Sequence, residues 1–249
     1  MSGLGLTVKL HRTIDIGIAL LIGWYRIRID GPQPERNPNA HYIYTTEELD
    51  RRIADAITGV PTSNQLAIIY SVADLLKGID RPRICDFGGA YGGDCLRMRR
   101  YIPEAVFTVV EIPEIVESAK RVDELKEITF SSTLPSACDV FYSSGVVMNA
   151  HVPLFEAIKT LTPARVVISS VEITDAPTYW SLVVYRKTGR RCPYITFNRQ
   201  EFISRFTDLG YTLKNTWYQG ENTSGVFLNG QKNPDAYGFT FTRNDHSER

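Results

Sequence analysis

The chain is poor in the features that mark secreted, metal-bound, membrane-spanning or nucleic-acid-binding proteins. It has four cysteines in 249 residues (Cys85, Cys95, Cys138 and Cys192), with no CxxC pair and no His/Cys ligand spacing. A disulfide framework or a structural zinc site is therefore not expected, and free buried thiols in a reducing compartment, the cytoplasm, fit better. No metal is expected either. An excess of one charge is also lacking: Lys+Arg and Asp+Glu both number 28, so the formal net charge is zero. Binding to phosphates of nucleic acid needs many uncompensated cations, so no nucleic-acid partner is expected. The local basic clusters Arg97–Arg99–Arg100 and Arg186–Lys187–Arg190–Arg191 read as solvated faces.

Long apolar runs are missing too. The nine-residue stretch Ile16–Trp24 follows Lys9, His11 and Arg12, but no small-residue cleavage pattern comes after it. A helix needs roughly 20 residues to span a bilayer, so no transmembrane segment is expected. A buried or partner-facing helix is the first reading. Trp24, Tyr25, Arg26 and Arg28 close the run as interfacial residues do, which makes peripheral membrane contact the second. Nothing in the composition sets the oligomeric state.

What is present is an ordinary globular composition, 43% hydrophobic and 22% charged, over a length suited to one α/β domain with an appendage. Residues 31–44 hold three prolines and read as a connector. Thr45 with Glu48, and Thr62 with Gln65, have the spacing of capping boxes opening two helices. The first 80 residues are thus expected to form a helical extension or cap without a strand of its own. From Arg83 short apolar runs alternate with helical stretches, the signature of βαβ units. Strands are predicted at Ile84–Phe87, Val106–Glu111, Ile128–Ser131, Asp139–Ser144 and Arg165–Ser170. Helices are predicted near Asp94–Tyr101, Glu114–Asp123 and Leu154–Thr160. Residues 172–198 break the rhythm and read as an aromatic insertion, a candidate lid. A helix capped by Asn198 follows, then two alternating runs, Tyr211–Tyr218 and Tyr237–Thr242, that read as an antiparallel pair.

The segment ICDFGGAYGGDC, residues 84–95, carries the chemistry. A short apolar strand reaches Asp86, and four glycines follow within six residues: Gly88, Gly89, Gly92 and Gly93. Glycines are wanted where a ligand approaches the backbone and the turn takes conformations that side chains forbid. The helix beyond offers unsatisfied N–H groups to an anion. Nineteen residues after Gly92, the next strand ends in Glu111, a carboxylate placed to accept from both hydroxyls of a ribose. Strand, glycine turn, helix, strand and acid together describe a unit for a nucleoside cofactor.

Asp86–Phe87–Gly88–Gly89–Ala90–Tyr91–Gly92 resembles the D-x-G-x-G-x-G signature of class I S-adenosylmethionine-dependent methyltransferases. Gly88 and Gly92 match the outer glycines, and Ala90 stands where the middle one would. The resemblance extends over about residues 81–243. The segments DFGGAYGG, FTVVEIPEIVE and CDVFYSSGVVMNAHVP look most like a family of uncharacterised methyltransferases whose members often sit among surface-polysaccharide genes. The implied fold is Rossmann-like α/β, a mostly parallel seven-stranded sheet with a C-terminal antiparallel hairpin, occupying residues 81–249. The implied activity is S-adenosylmethionine-dependent methyl transfer to a small-molecule or glycan acceptor, at oxygen or nitrogen.

Residue by residue, the resemblance places the methionine moiety on the backbone at Gly88, Gly89 and Gly92, with Asp86 orienting its ammonium. Glu111 would hold the ribose and Ile112 would pack on the adenine. Ser132 and Thr133 fall where many such enzymes place an adenine-contacting acid. Ser143 and Ser144 end the fourth strand beside the transfer site. His151, on the loop expected after that strand, is the candidate base for a poor nucleophile. Glu172 and Asp175 are candidate acceptor contacts. Two other readings stand beside this one: a nicotinamide-dependent oxidoreductase, which the missing G-x-G weighs against, and a non-catalytic scaffold on a degenerate methyltransferase fold.

Overall fold

The computed structural model describes residues 24–29, 31, 46–185, 190–221, 226–227 and 232–244. The chain divides into two compact units. The larger comprises residues 43–171, 203–219 and 237–249, and the smaller residues 1–42, 172–202 and 220–236. Residue 80, the expected boundary, lies within the larger unit, which holds the helices before it and the sheet after it.

The larger unit opens with two helices, α1 (Thr46–Thr58) and α2 (Ser63–Leu75). Helix α1 buries Leu49, Ile53 and Ala56, spaced four and three apart so that they share one face. The predicted capping box of α2 is present: Gln65 N donates to the Thr62 hydroxyl, and Thr62 N donates to Gln65 Oε1. Thr45 lies outside the described residues. Then come β2 (Arg83–Phe87), α3 (Gly93–Arg99), β3 (Val106–Val110), α4 (Pro113–Ala119), β4 (Thr129–Ser131), β5 (Val140–Ser144), α5 (Val147–Leu161) and β6 (Arg165–Thr174). β2 runs parallel to β3 and to β5, β3 to β4, and β5 to β6. Val140, Phe141, Tyr142, Val166 and Val167 are all fully buried, the near-continuous apolar run that strands of a parallel sheet carry.

The first four strands predicted in this region form within a residue of their expected bounds, whereas β6 runs four residues past its expected end at Ser170, to Thr174. Helix α5 starts at Val147 instead of Leu154. Ala150 breaks its helical geometry with φ −131° and ψ 34°, and Pro153 follows in the first turn beyond that kink. The chain continues through α6 (Arg199–Asp208), β9 (Tyr211–Glu221) and β11 (Asp235–Arg243), where β11 pairs with both β6 and β9. Asn198 caps α6 as expected, its Oδ1 accepting from Gln200 N and Glu201 N at 2.9 and 3.2 Å.

The smaller unit corrects two expectations. Residues 24–29 are a strand, β1 (Trp24–Ile29), antiparallel to β7 (Tyr179–Tyr185) and parallel to β10 (Val226–Phe227). The N-terminal region is therefore not wholly helical; most of the apolar run 16–24 lies outside the described residues. Residues 172–198 are likewise no irregular excursion: they complete β6 and form β7 and β8 (Arg190–Asn198), an antiparallel pair. Arg26 is not an interfacial side chain. It is fully buried, and its two terminal nitrogens donate to both oxygens of Glu172 at 2.7 Å and one of them also to the Ser181 hydroxyl. Thr196 donates to Glu172 as well. Both members of that pair are inaccessible, so Glu172 is a structural counter-ion and not an acceptor contact.

Cys85, Cys95 and Cys138 are buried and Cys192 is partly so, and none of the four is in a disulfide among the described residues. No helix among the described residues is long and apolar enough to cross a membrane.

Candidate functional site

The site is built at the carboxyl ends of β2, β3 and β5, within the larger unit. The chain leaves β2 at Phe87 and turns at Gly88, whose φ of +72° suits a residue without a Cβ. The Gly88 N–H donates to Val110 O across the sheet at 2.9 Å, and a Cβ on Gly88 would meet the Val146 side chain. At Gly89 the constraint is different: a Cβ would run into the Asp86 carboxylate. The loop thus lies directly over that acid. Gly92, at φ +70°, opens α3. Ala90 also adopts a left-handed conformation, φ +50°. Ala90 thus takes a backbone conformation that ordinarily favours glycine.

Asp86 is almost wholly buried. Its Oδ2 accepts from the Cys95 thiol at 3.3 Å, and its Oδ1 has no hydrogen-bond partner among the described residues. Burial foremost, then the nearby carboxylates of Asp94 and, more weakly, Glu111, push its pKa up to about 8. A buried carboxyl with an open oxygen, crowded by two more acids, is arranged to receive a hydrogen-bond donor carrying positive charge.

Glu111 follows β3 and turns toward the glycine loop. Its Oε1 accepts from Ala90 N at 3.1 Å and its Oε2 from Ile112 N at 2.8 Å. An ionised carboxylate offers about four lone-pair sites, so two remain for a ligand. Ile112 caps α4 and packs partly buried against the core, with Pro113 in the first turn. This strand-end acid and this glycine loop, 21 residues apart in sequence, are brought together as expected.

The other predicted residues differ among themselves. Ser132 and Thr133 are exposed in the bend after β4, where Ser131 Oγ donates to Thr133 O and accepts from Thr133 N. Ser143 is fully buried, its hydroxyl donating to Phe87 O at 2.8 Å. It pins β5 to the start of the glycine loop, so its hydroxyl is committed to the protein. Ser144 faces the Ser170 hydroxyl at 3.5 Å and bears on the phenol of Tyr142. His151 is not on a loop: it sits inside α5, 8% exposed. Burial first and the Arg205 charge second lower its pKa. No sequence motif singled out Tyr142, fully buried in β5, whose hydroxyl donates to Asp94 Oδ2 at 2.7 Å. Only its place two residues before Ser144, on the same face of β5, could have drawn attention to it.

No protein-family model matches the chain, and no curated protein is significantly similar to it. Solved structures are. A SAM-dependent methyltransferase from Methanosarcina mazei is 14% identical, with 70% of this chain and 96% of that one covered at a TM-score of 0.52. A proposed sarcosine dimethylglycine methyltransferase from Galdieria sulphuraria is 10% identical, covering 73% and 84% at 0.53. The 1,6-didemethyltoxoflavin-N1-methyltransferase of Burkholderia thailandensis, solved with 1,6-didemethyltoxoflavin and S-adenosylhomocysteine, is 17% identical, covering 87% and 93% at 0.49. At such identities the likeness is one of fold. What the first two comparisons establish is a Rossmann-like α/β fold of the kind found in those methyltransferases.

Proposed function

We propose that this chain binds S-adenosylmethionine on the β2–α3 glycine loop and transfers its methyl group to a small-molecule or glycan acceptor, at oxygen or nitrogen. One observation carries the reading: the Glu111 carboxylate is turned onto the loop, beside a buried Asp86 whose Oδ1 is open and whose overlying residue, Gly89, leaves no room for a side chain. In this reading Asp86 takes the ammonium of the methionine moiety, Glu111 the ribose hydroxyls, and Ile112 packs against the adenine. The strand order running from β4 through β3, β2, β5 and β6 to β11 and β9 also suits a seven-stranded methyltransferase sheet with a C-terminal hairpin.

Bound there, the cofactor supplies a methyl group on an already reactive, positively charged sulfur. The work left to the protein is to hold an acceptor in line and exclude water, and orientation of this kind is worth about 7–11 kcal/mol. Ser143 contributes by fixing the end of β5 against Phe87, which keeps the acceptor edge in register with the loop. His151, kept neutral at pH 7 by its lowered pKa, is the proposed base for an acceptor that must lose a proton.

Calorimetric titration with S-adenosylhomocysteine tests this reading. The wild-type chain binds, and Glu111→Ala weakens binding about ten- to a hundredfold, the loss expected for hydrogen bonds to a charged group. Binding of NAD(H) with none of S-adenosylhomocysteine would favour an oxidoreductase; binding of neither would leave a scaffold. Turnover that persists in His151→Asn across the pH range removes that residue from the base role.

A further inference from the structure

The carboxyl ends of β5 and β6 carry a polar cluster that cofactor binding does not use. Of the four non-glycine residues described with positive φ, Arg81 lies in a bend, Ala90 in the glycine loop and Thr162 at a helix end. Ser170, at φ +56°, is the one inside a strand. Such conformations are costly and persist where the surroundings over-determine them, often at ligand sites. Here the surroundings do so. The Ser170 N–H donates to Gln219 Oε1 at 2.6 Å, and Gln219 is itself held by Asn64 Nδ2, which donates to its carbonyl at 2.6 Å. Because the oxygen end of the Gln219 amide is committed to Ser170, its Nε2 is left as a donor, with no bond to any described residue.

The same twist sets the Ser170 hydroxyl against Ser144, both partly buried. At 3.5 Å the pair is well beyond the usual O–H···O distance, so the Ser170 hydroxyl can bond better to a third group, and Ser144, which also bears on the Tyr142 phenol, keeps hydrogen-bonding capacity for one. Ser144 comes directly after Ser143, the residue tied to the start of the glycine loop. All three groups, two hydroxyls and an amide NH2, are uncharged.

We propose that Ser144, Ser170 and Gln219 form the acceptor subsite and select an uncharged hydrogen-bonding group, an alcohol or an amide, over a carboxylate or a phosphate. This assignment rests on the methyl-transfer reading. An alcohol donates to one serine and accepts from the other, and an amide carbonyl accepts from Gln219. An anion finds no cation among these residues to offset its desolvation.

The test uses the full chain saturated with S-adenosylhomocysteine and saturation-transfer NMR with four probes on one scaffold: benzyl alcohol, benzamide, benzoate and phenyl phosphate. The alcohol and the amide bind in preference to the two anions. In Ser170→Gly, which relieves the left-handed strain while deleting the hydroxyl, benzyl alcohol binding falls about three- to tenfold, the worth of one neutral hydrogen bond. The thermal midpoint does not fall with it, which separates recognition from folding. Gln219→Glu keeps an acceptor for the Ser170 N–H but replaces the donor, so benzamide is lost and benzylammonium is gained. Anions that bind as well as the neutral probes overturn the proposal, as does failure of every probe to bind or unchanged probe binding in both variants. Failure of the wild type to bind S-adenosylhomocysteine overturns the cofactor reading instead, so the two fail separately.

Discussion

The two units each bury a carboxylate, and they treat it in opposite ways. In the smaller unit Glu172 is fully inaccessible and holds Arg26 through both oxygens, with Thr196 donating as well. The guanidinium also lies over the rings of Phe227 and Tyr194, at 4.8 and 5.6 Å, and its Nε has no hydrogen-bond partner among the described residues. In the larger unit Asp86 is as deeply buried but meets a weak thiol donor, two like-charged neighbours and, at Oδ1, no hydrogen-bond partner among the described residues. A carboxylate whose two oxygens both accept from fixed side chains belongs to the scaffold. One left open under a glycine loop is suited to a ligand. Burial alone does not tell them apart; the accounting of partners does.

The sharpest way to break the comparison is to strip the Arg26–Glu172 pair of one member. Glu172→Ala leaves a buried guanidinium uncompensated and is expected to cost about 3–5 kcal/mol in urea denaturation. Replacing both residues by Met removes the charge problem and recovers most of that loss. A double variant as unstable as the single one would show that the pair stabilises by more than mutual neutralisation.

Gly89→Ala comes next. Its methyl group would enter the space of the Asp86 carboxylate, and over-packing of this kind costs about 1–3 kcal/mol. The loop must shift to relieve it, so S-adenosylhomocysteine binding is expected to be lost while the smaller unit's pairing is untouched. Retained binding would mean that the ligand does not sit on this loop.

These contrasts show what was legible from residue order. The β2 strand, its glycine turn and Glu111 were, because a βαβ unit is compact in sequence and its constraints, left-handed turns and strand-end acids, select particular residue types. Strand β1 was not. Its apolar lead-in reads as a helix, and its partner β7 lies some 150 residues further on, so its status is set by pairing and not by propensity. Strand β8 was concealed by Pro193, which ordinarily argues against a strand interior, and α5 by Pro153 after the kink at Ala150. Ser170 carries no local sign at all: nothing about a serine announces a positive φ.

The titration of Asp86 sharpens the comparison further. Its folded pKa of about 8 lies far above the ordinary carboxyl value of 3.8. Between those limits the folded chain keeps a proton that the unfolded chain releases, so stability falls as pH rises through that window and levels above it. Asp86→Asn should therefore lose less stability than the wild type between pH 6 and 8, by about 2 kcal/mol for one proton. Saturating S-adenosylhomocysteine should flatten the wild-type slope as well, because its ammonium favours the ionised carboxylate. A slope that is the same in Asp86→Asn, or unmoved by ligand, would place the open oxygen outside the binding event.

The smallest effect concerns Ala90. A left-handed backbone costs a non-glycine residue roughly 1–2 kcal/mol, against the 0.5–1 kcal/mol that glycine forfeits to unfolded-chain entropy. Ala90→Gly should therefore stabilise the chain by up to about 1 kcal/mol in thermal denaturation, whereas Ala90→Val, β-branched at positive φ, should destabilise it. Because the Ala90 N–H is what Glu111 grips, the two variants should shift S-adenosylhomocysteine affinity in the same order as stability. A loop held in shape by Glu111 alone would show no such correlation, and the alanine would then be a neutral occupant of a glycine position.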